Sequence, residues 1–145
     1  MKQTVRIDPG RVIAKLLWPE LVFNAEGTFW DKYGQDAALG KLTVQVKCDG
    51  RIARSGNIYH EVYEKSALND SQPWRKSPGV ADAYIFCSET DLQYLGWFVL
   101  VDALAKAELG LKLTAIFPNG GAMTSMGFII PLSAIVSEKR CQLKA

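Results

Sequence analysis

The sequence predicts one α+β or α/β domain built on a mixed sheet, and three observations carry that prediction. An amphipathic segment with helical spacing comes first, apolar or alternating strand-like runs follow, and a shorter helical segment stands late among them. The 145 residues suit a single domain, 1–145, with one hydrophobic core, and no repeat, low-complexity tract or linker divides them.

From Arg11 to Phe23 the residues Val12, Ile13, Leu16, Leu17, Leu21 and Val22 recur near helical spacing. Asp8-Pro9 supplies an N-cap and a first-turn proline, and Pro19 ends or bends the helix. Leu42 to Cys48 alternates cleanly, with Leu42, Val44, Val46 and Cys48 on one face and Thr43, Gln45 and Lys47 on the other. Asn57 to Tyr63 is a second strand, rich in β-prone residues, and Ala81 to Cys87 and Leu95 to Val101 are apolar enough for central strands. Ser88-Glu89-Thr90-Asp91 reads as the turn between those two. Asp102 to Glu108 reads as a short helix, and Leu111 to Phe117 and Gly127 to Leu132 as later strands or a strand and an irregular piece, parted by a Pro118-Asn119-Gly120-Gly121 turn. Ser66 to Gly79 lacks periodicity, and a loop of that length in a compact domain is usually functional or disordered.

Composition excludes several classes of function. With 17 Lys+Arg against 15 Asp+Glu the net charge is +2, so nucleic-acid binding has to rest on local clustering. One histidine, His60, and three scattered cysteines, Cys48, Cys87 and Cys141, cannot form a zinc site at standard spacing. The odd cysteine count without a CxxC reads as reduced, structural thiols in a cytoplasmic protein. No apolar core follows Lys2, and no apolar run has membrane-spanning length, so neither a signal peptide nor a membrane partner is expected. The chain is expected to fold alone or as a simple oligomer such as a homodimer.

Few chemical motifs survive scrutiny. Gly34 to Lys41 is one residue too long for a phosphate loop, and Leu42 stands where Ser or Thr would bind magnesium. Cys48 and His60 lack the third group that orients a nucleophile and its base. More specific is Asp36 followed by Gln45 and Lys47 on one strand face. If Asp36 ends the preceding strand of a hairpin, its carboxylate, the Gln45 amide oxygen and the Lys47 ammonium converge on one side of the sheet. An oxygen-rich pocket with one lysine suits Mg²⁺ and a water it activates, the arrangement that serves phosphodiester hydrolysis. The same residues also fit plainer roles, Asp36 as a turn cap, Gln45 and Lys47 as a solvated strand face, and Glu61 with Lys65 as a surface pair.

Asp36, Gln45-Val46-Lys47 and Ser55-Gly56-Asn57-Ile58-Tyr59-His60-Glu61 together resemble the PD-(D/E)xK nuclease superfamily in its Gln-x-Lys variant. Lys76-Ser77-Pro78-Gly79-Val80-Ala81-Asp82-Ala83-Tyr84-Ile85-Phe86 is similar to a segment of small phage-type members, and Leu95-Gly96-Trp97 and Thr124 to Leu132 add looser similarity. The resemblance implies a restriction-endonuclease-like fold, a central mixed sheet flanked by helices. It implies a Mg²⁺-dependent endonuclease, a phosphodiester hydrolase acting on DNA, with Mn²⁺ as the alternative ion. Asp36 would be a metal ligand, Gln45 would replace the usual second acidic ligand, the Val46 carbonyl would face the metal, and Lys47 would orient the attacking water. A neutral amide leaves such a site one negative charge short, and Glu61 would restore it from the neighbouring strand, as would Glu20 or Glu26. The rival reading is a non-catalytic nucleic-acid-binding or assembly protein on a degenerate nuclease fold. Arg51, Arg54, Lys65, Arg75 and Lys76, with Trp74 among them, are the candidate nucleic-acid contacts, expected on loops around the Asp36/Lys47 centre. Trp74 would stack on a base or plug the core beneath its loop.

Overall fold

A computed structural model describes residues 9–24, 35–66, 74–76, 80–116 and 123–145. The elements run α1 (Pro9–Leu17), β1 (Val22–Phe23), β2 (Ala37–Leu39), β3 (Leu42–Cys48), α2 (Ile52–Ser55), β4 (Asn57–Ser66) and β5 (Arg75–Lys76). After them come β6 (Ala83–Glu89), β7 (Gln93–Leu100), α3 (Val101–Glu108), β8 (Thr114–Ile116), β9 (Met123–Pro131), a 3₁₀ turn (Leu132–Ala134) and β10 (Glu138–Leu143). The fold is therefore mixed, as the sequence predicts. A six-stranded sheet has the order β1-β2-β3-β6-β7-β10, with β3 and β6 parallel and the other neighbours antiparallel.

A second sheet, β5-β4-β9-β8, departs from the expected single sheet with helices on both faces. Parallel strands need a long crossover between them. Here the chain between β3 and β6 forms short α2 and then β4 and β5, so strands instead of a long helix cover much of that face.

Each face of the six-stranded sheet carries its own core. On one, Ile13, Ala14, Leu17, Trp18 and Leu21, from α1 and the turn after it, pack on Ala37, Val44, Ala83, Ile85 and Cys87. On the other, Tyr84, Phe86, Leu95, Trp97 and Val99 meet Ile52, Leu104, Ile58 and Ile130 from α2, α3, β4 and β9. Strand β6 lies between the two cores and buries Ala83 to Ser88 without interruption, as a central strand must. Its polar Ser88 is satisfied because the Ala53 N–H donates to its Oγ, which also docks α2.

Local chemistry sets where the elements stop. Pro9 opens α1, and the helix ends at Leu17, just ahead of Pro19 as the sequence suggests, because a residue preceding proline, here Trp18, is steered out of helical geometry. Lys15 holds the turn by donating to the carbonyls of Pro19 and Leu21 at 2.5 and 2.6 Å. Gly96 gives Trp18 its place, since a Cβ there would lie 2.6 Å from the indole ring. Ser88 and Glu89, expected in a turn, extend β6 instead. Edge strand β10 sets Lys139 over Trp97 and Arg140 over Trp18, so charged side chains sit where another chain would otherwise pair. No helix among the described residues is long and apolar enough to cross a membrane.

Candidate functional site

Asp36 stands immediately before β2, not at the end of a strand as the sequence suggests. Gly40, with φ of 59°, occupies the first position of a two-residue turn between Leu39 and Leu42, where a tight hairpin requires the left-handed region. The resulting register pairs Ala37 with Val44, so Asp36 falls beside Gln45. Instead of continuing the ladder, the Val46 N–H donates to Asp36 Oδ2 at 2.7 Å. In an antiparallel strand the N–H and C=O of one residue point to the same edge, so the Val46 carbonyl opens on the Asp36 side as well.

Val44 and Val46 turn toward the α1 core, which leaves Gln45 and Lys47 on the opposite face, both half-buried. There the parallel register sets Gln45 beside Tyr84 and Lys47 beside Phe86. Tyr84 meets the His60 ring edge-on at 5.2 Å, and His60 Nδ1 shares a hydrogen bond with Glu108 Oε1 from the end of α3. Burial first, and the nearby Glu108 charge second, push the Tyr84 hydroxyl above its ordinary pKa, so it stays protonated. Strand register and the His60 contacts thus set Asp36, Gln45, Tyr84, His60 and Glu108 in sequence from the hairpin toward the second sheet.

Glu61 does not join that face. On β4, Ile58 and His60 point toward the six-stranded sheet, which places Asn57, Tyr59 and Glu61 on the outward face. Glu20 faces β10 instead, with Oε1 3.3 Å from Arg140 Nη1, and Glu26 lies outside the described residues. Among the described residues, no three of His, Cys, Asp and Glu gather as a metal-sized group. Asp36 and Gln45 are the ligand-type side chains that the hairpin brings together.

The candidate nucleic-acid contacts fall into two groups instead of ringing one centre. Arg51 and Arg54 lie at and on α2, while Lys65 lies toward the far end of β4, Arg75 and Lys76 on β5 and Trp74 just before it, about 20–26 Å along β4 from its start at ~3.3 Å per strand residue. The expected loop from Ser66 to Gly79 is in part strand, because Arg75 and Lys76 pair with Glu64 and Tyr63, and its other residues outside 74–76 and Ser66 are not described. Half-buried Trp74 has the Lys65 ammonium 5.9 Å above its ring, and Lys76 is exposed.

Arg51 is tied locally, its Nε and Nη2 donating to Asp49 Oδ1 and Oδ2 at 3.1 and 3.2 Å. Burial pushes the Asp49 carboxyl up, but hydrogen bonds from Arg51 and the charges of Arg51 and Arg54 outweigh it and hold the group below the usual carboxylate range. A depressed carboxyl stabilises the fold above its unfolded pKa, and that stability is lost as pH falls through the folded value. Arg51→Gln is therefore expected to cost less than ~1 kcal/mol at neutral pH, because Arg51 is largely exposed, and nothing once Asp49 is protonated. Urea unfolding at neutral and acid pH checks this, and an equal cost at both would contradict it.

The chain matches no known family model, no curated protein and no solved structure. The sequence reading missed the pairing of His60 with Glu108. Those residues are 48 positions apart, and no local pattern links them. The exposure of Cys48, the last residue of β3, also differs from the buried position its alternation suggests.

Proposed function

We propose that the protein is a Mg²⁺-dependent nuclease of restriction-endonuclease-like fold that hydrolyses phosphodiester bonds in DNA. The observation that carries this reading is the β2–β3 register, which sets Asp36 beside Gln45 with Lys47 two residues further along the same face. A carboxylate, an amide oxygen and a strand carbonyl suit Mg²⁺, which takes few protein ligands and completes its shell with water and phosphate oxygens. The ion would polarise the phosphoryl oxygen and lower the pKa of a bound water, while the Lys47 ammonium would orient that water and offset charge developing on the phosphate. The resemblance in the Gln-Val-Lys and following segments supports DNA as substrate, with Lys65 and Lys76 as backbone contacts.

The outward turn of Glu61 favours a second reading, nucleic-acid binding without cleavage, since Gln45 then gains no charge from β4, and the Asp82 carboxylate beside the hairpin is taken up by the Thr43 N–H and hydroxyl. Incubation with supercoiled, linear and branched DNA plus Mg²⁺ or Mn²⁺ separates the two. Metal-dependent cleavage that is lost in Asp36→Ala is expected. Salt-sensitive binding without cleavage would overturn the nuclease in favour of the binding protein, and neither activity would overturn both.

A further inference from the structure

On the outward face of the second sheet, a pocket of about 220 Å³ opens between the start of β4, β9 and the turn after β3. Asn57 and Tyr59 alternate onto this face, and Ile129 is the register partner of Tyr59. The Tyr59 hydroxyl bonds Ser125 Oγ at 2.6 Å, which fixes the ring against the sheet. The Ser55 hydroxyl is committed to the backbone, accepting from the Asn57 N–H and donating to the Arg51 carbonyl. The half-buried Asn57 side-chain amide has no hydrogen-bond partner among the described residues. At the rim, Asp49 and Arg51 neutralise each other.

We infer that this pocket receives one unstacked nucleobase of the nucleic acid held at the Asp36–Lys47 face, its ring against Tyr59 and Ile129 and its polar edge on the Asn57 amide. The inference rests on the nucleic-acid reading above. Three properties favour a base over a phosphate. The paired Asp49 and Arg51 leave the rim with little net charge, where a phosphate would want an unopposed cation. The floor is an aromatic ring beside an aliphatic side chain, a surface that stacks any base. An amide with one acceptor and two donors matches a base edge, most closely that of adenine. The volume is below the ~300–1,000 Å³ of pockets for drug-sized ligands, as one heterocycle requires. Asp49, which lines the pocket, follows Lys47 by two residues, about 7 Å of extended chain, so the pocket rim lies close to Lys47.

The test is fluorescence anisotropy in EDTA with a labelled single-stranded oligonucleotide of mixed sequence and with the same backbone made abasic. A stacked base contributes ~1–3 kcal/mol, or about 5–150-fold in affinity, and the base-bearing strand is expected to bind tighter by a factor in that range. Asn57→Ala and Tyr59→Ala should shrink that ratio while leaving abasic binding unchanged, and Tyr59→Phe, which keeps the ring, should retain it if Tyr59→Ala unfolds the protein. Equal binding of the two strands by the wild type, or an unchanged ratio in folded Asn57→Ala, would overturn the pocket. Cleavage with Mg²⁺, measured separately, distinguishes the failures. Base-dependent binding without cleavage would remove the nuclease and leave the pocket, cleavage without base dependence would remove the pocket alone, and binding of neither strand, with no cleavage, would overturn pocket and nucleic-acid reading together.

Discussion

Lys47→Ala is expected to slow Mg²⁺-dependent DNA cleavage by at least about 100-fold, the lower end of what one preorganised group stabilising transition-state charge contributes. The loss should fall on the chemical step. Lys47 shares its strand face with Gln45 and stands beside Phe86 in the parallel ladder, so the variant loses a charge at the proposed reacting centre without opening the α1 core on the other side of the strand. A lost phosphate contact alone would instead weaken binding and lower the slope of log K against log salt by ~0.9 for duplex DNA, leaving the single-turnover rate at saturating protein unchanged. Single-turnover nicking assays beside a binding isotherm separate the two effects. A variant that cuts as fast as the wild type would remove Lys47 from the chemistry.

Gly127→Ala is expected to destabilise the fold by about 3 kcal/mol, at or beyond the upper end of ordinary overpacking. A Cβ at Gly127 would lie 2.1 Å from the His60 carbonyl oxygen and 2.9 Å from the Glu61 Cα. These are backbone atoms, so no rotamer change relieves the clash. The β4–β9 register shifts between Glu61 and Tyr63, and displacing β4 there would also disturb the His60 contact with Glu108 and the packing of Ile58 on Ile130. For a chain of this size the midpoint of thermal melting should fall by roughly 6–12 °C. Unaltered denaturant and thermal midpoints would contradict the tight approach of β4 and β9.

What the sequence made legible follows from which physical signals are local. Strand β3 matches its expected span because one face rests on α1 and the other carries polar side chains, which gives a clean alternation from Leu42 to Cys48. Strand β10 went unread because Glu138, Lys139 and Arg140 give an edge strand no apolar alternation: it is exposed apart from the half-buried Arg140, and it is held by its ladder with β7 and by Lys139 and Arg140 lying over Trp97 and Trp18. The second sheet was hidden for a related reason. The register shift after Glu61 breaks the alternation of β4, and nothing in the spacing of its residues says which sheet either face meets; Glu61, expected beside Gln45, lies on the outward face instead. At the site, the shared face of Gln45 and Lys47 was readable from parity, and the place of Asp36 depended on a tight turn at Gly40. Tyr84, His60 and Glu108 come together only through tertiary packing.

Titration calorimetry of Mg²⁺ into the wild type, Asp36→Asn and Gln45→Glu tests the metal site most directly, because it needs neither DNA nor turnover. Gln45→Glu supplies the second carboxylate beside Asp36 and should bind the ion more tightly than the wild type, whereas Asp36→Asn should show no binding. Glu61→Gln, on the outward face of β4, should titrate like the wild type. Identical isotherms for the wild type, Asp36→Asn and Gln45→Glu would contradict a metal site at the β2–β3 hairpin.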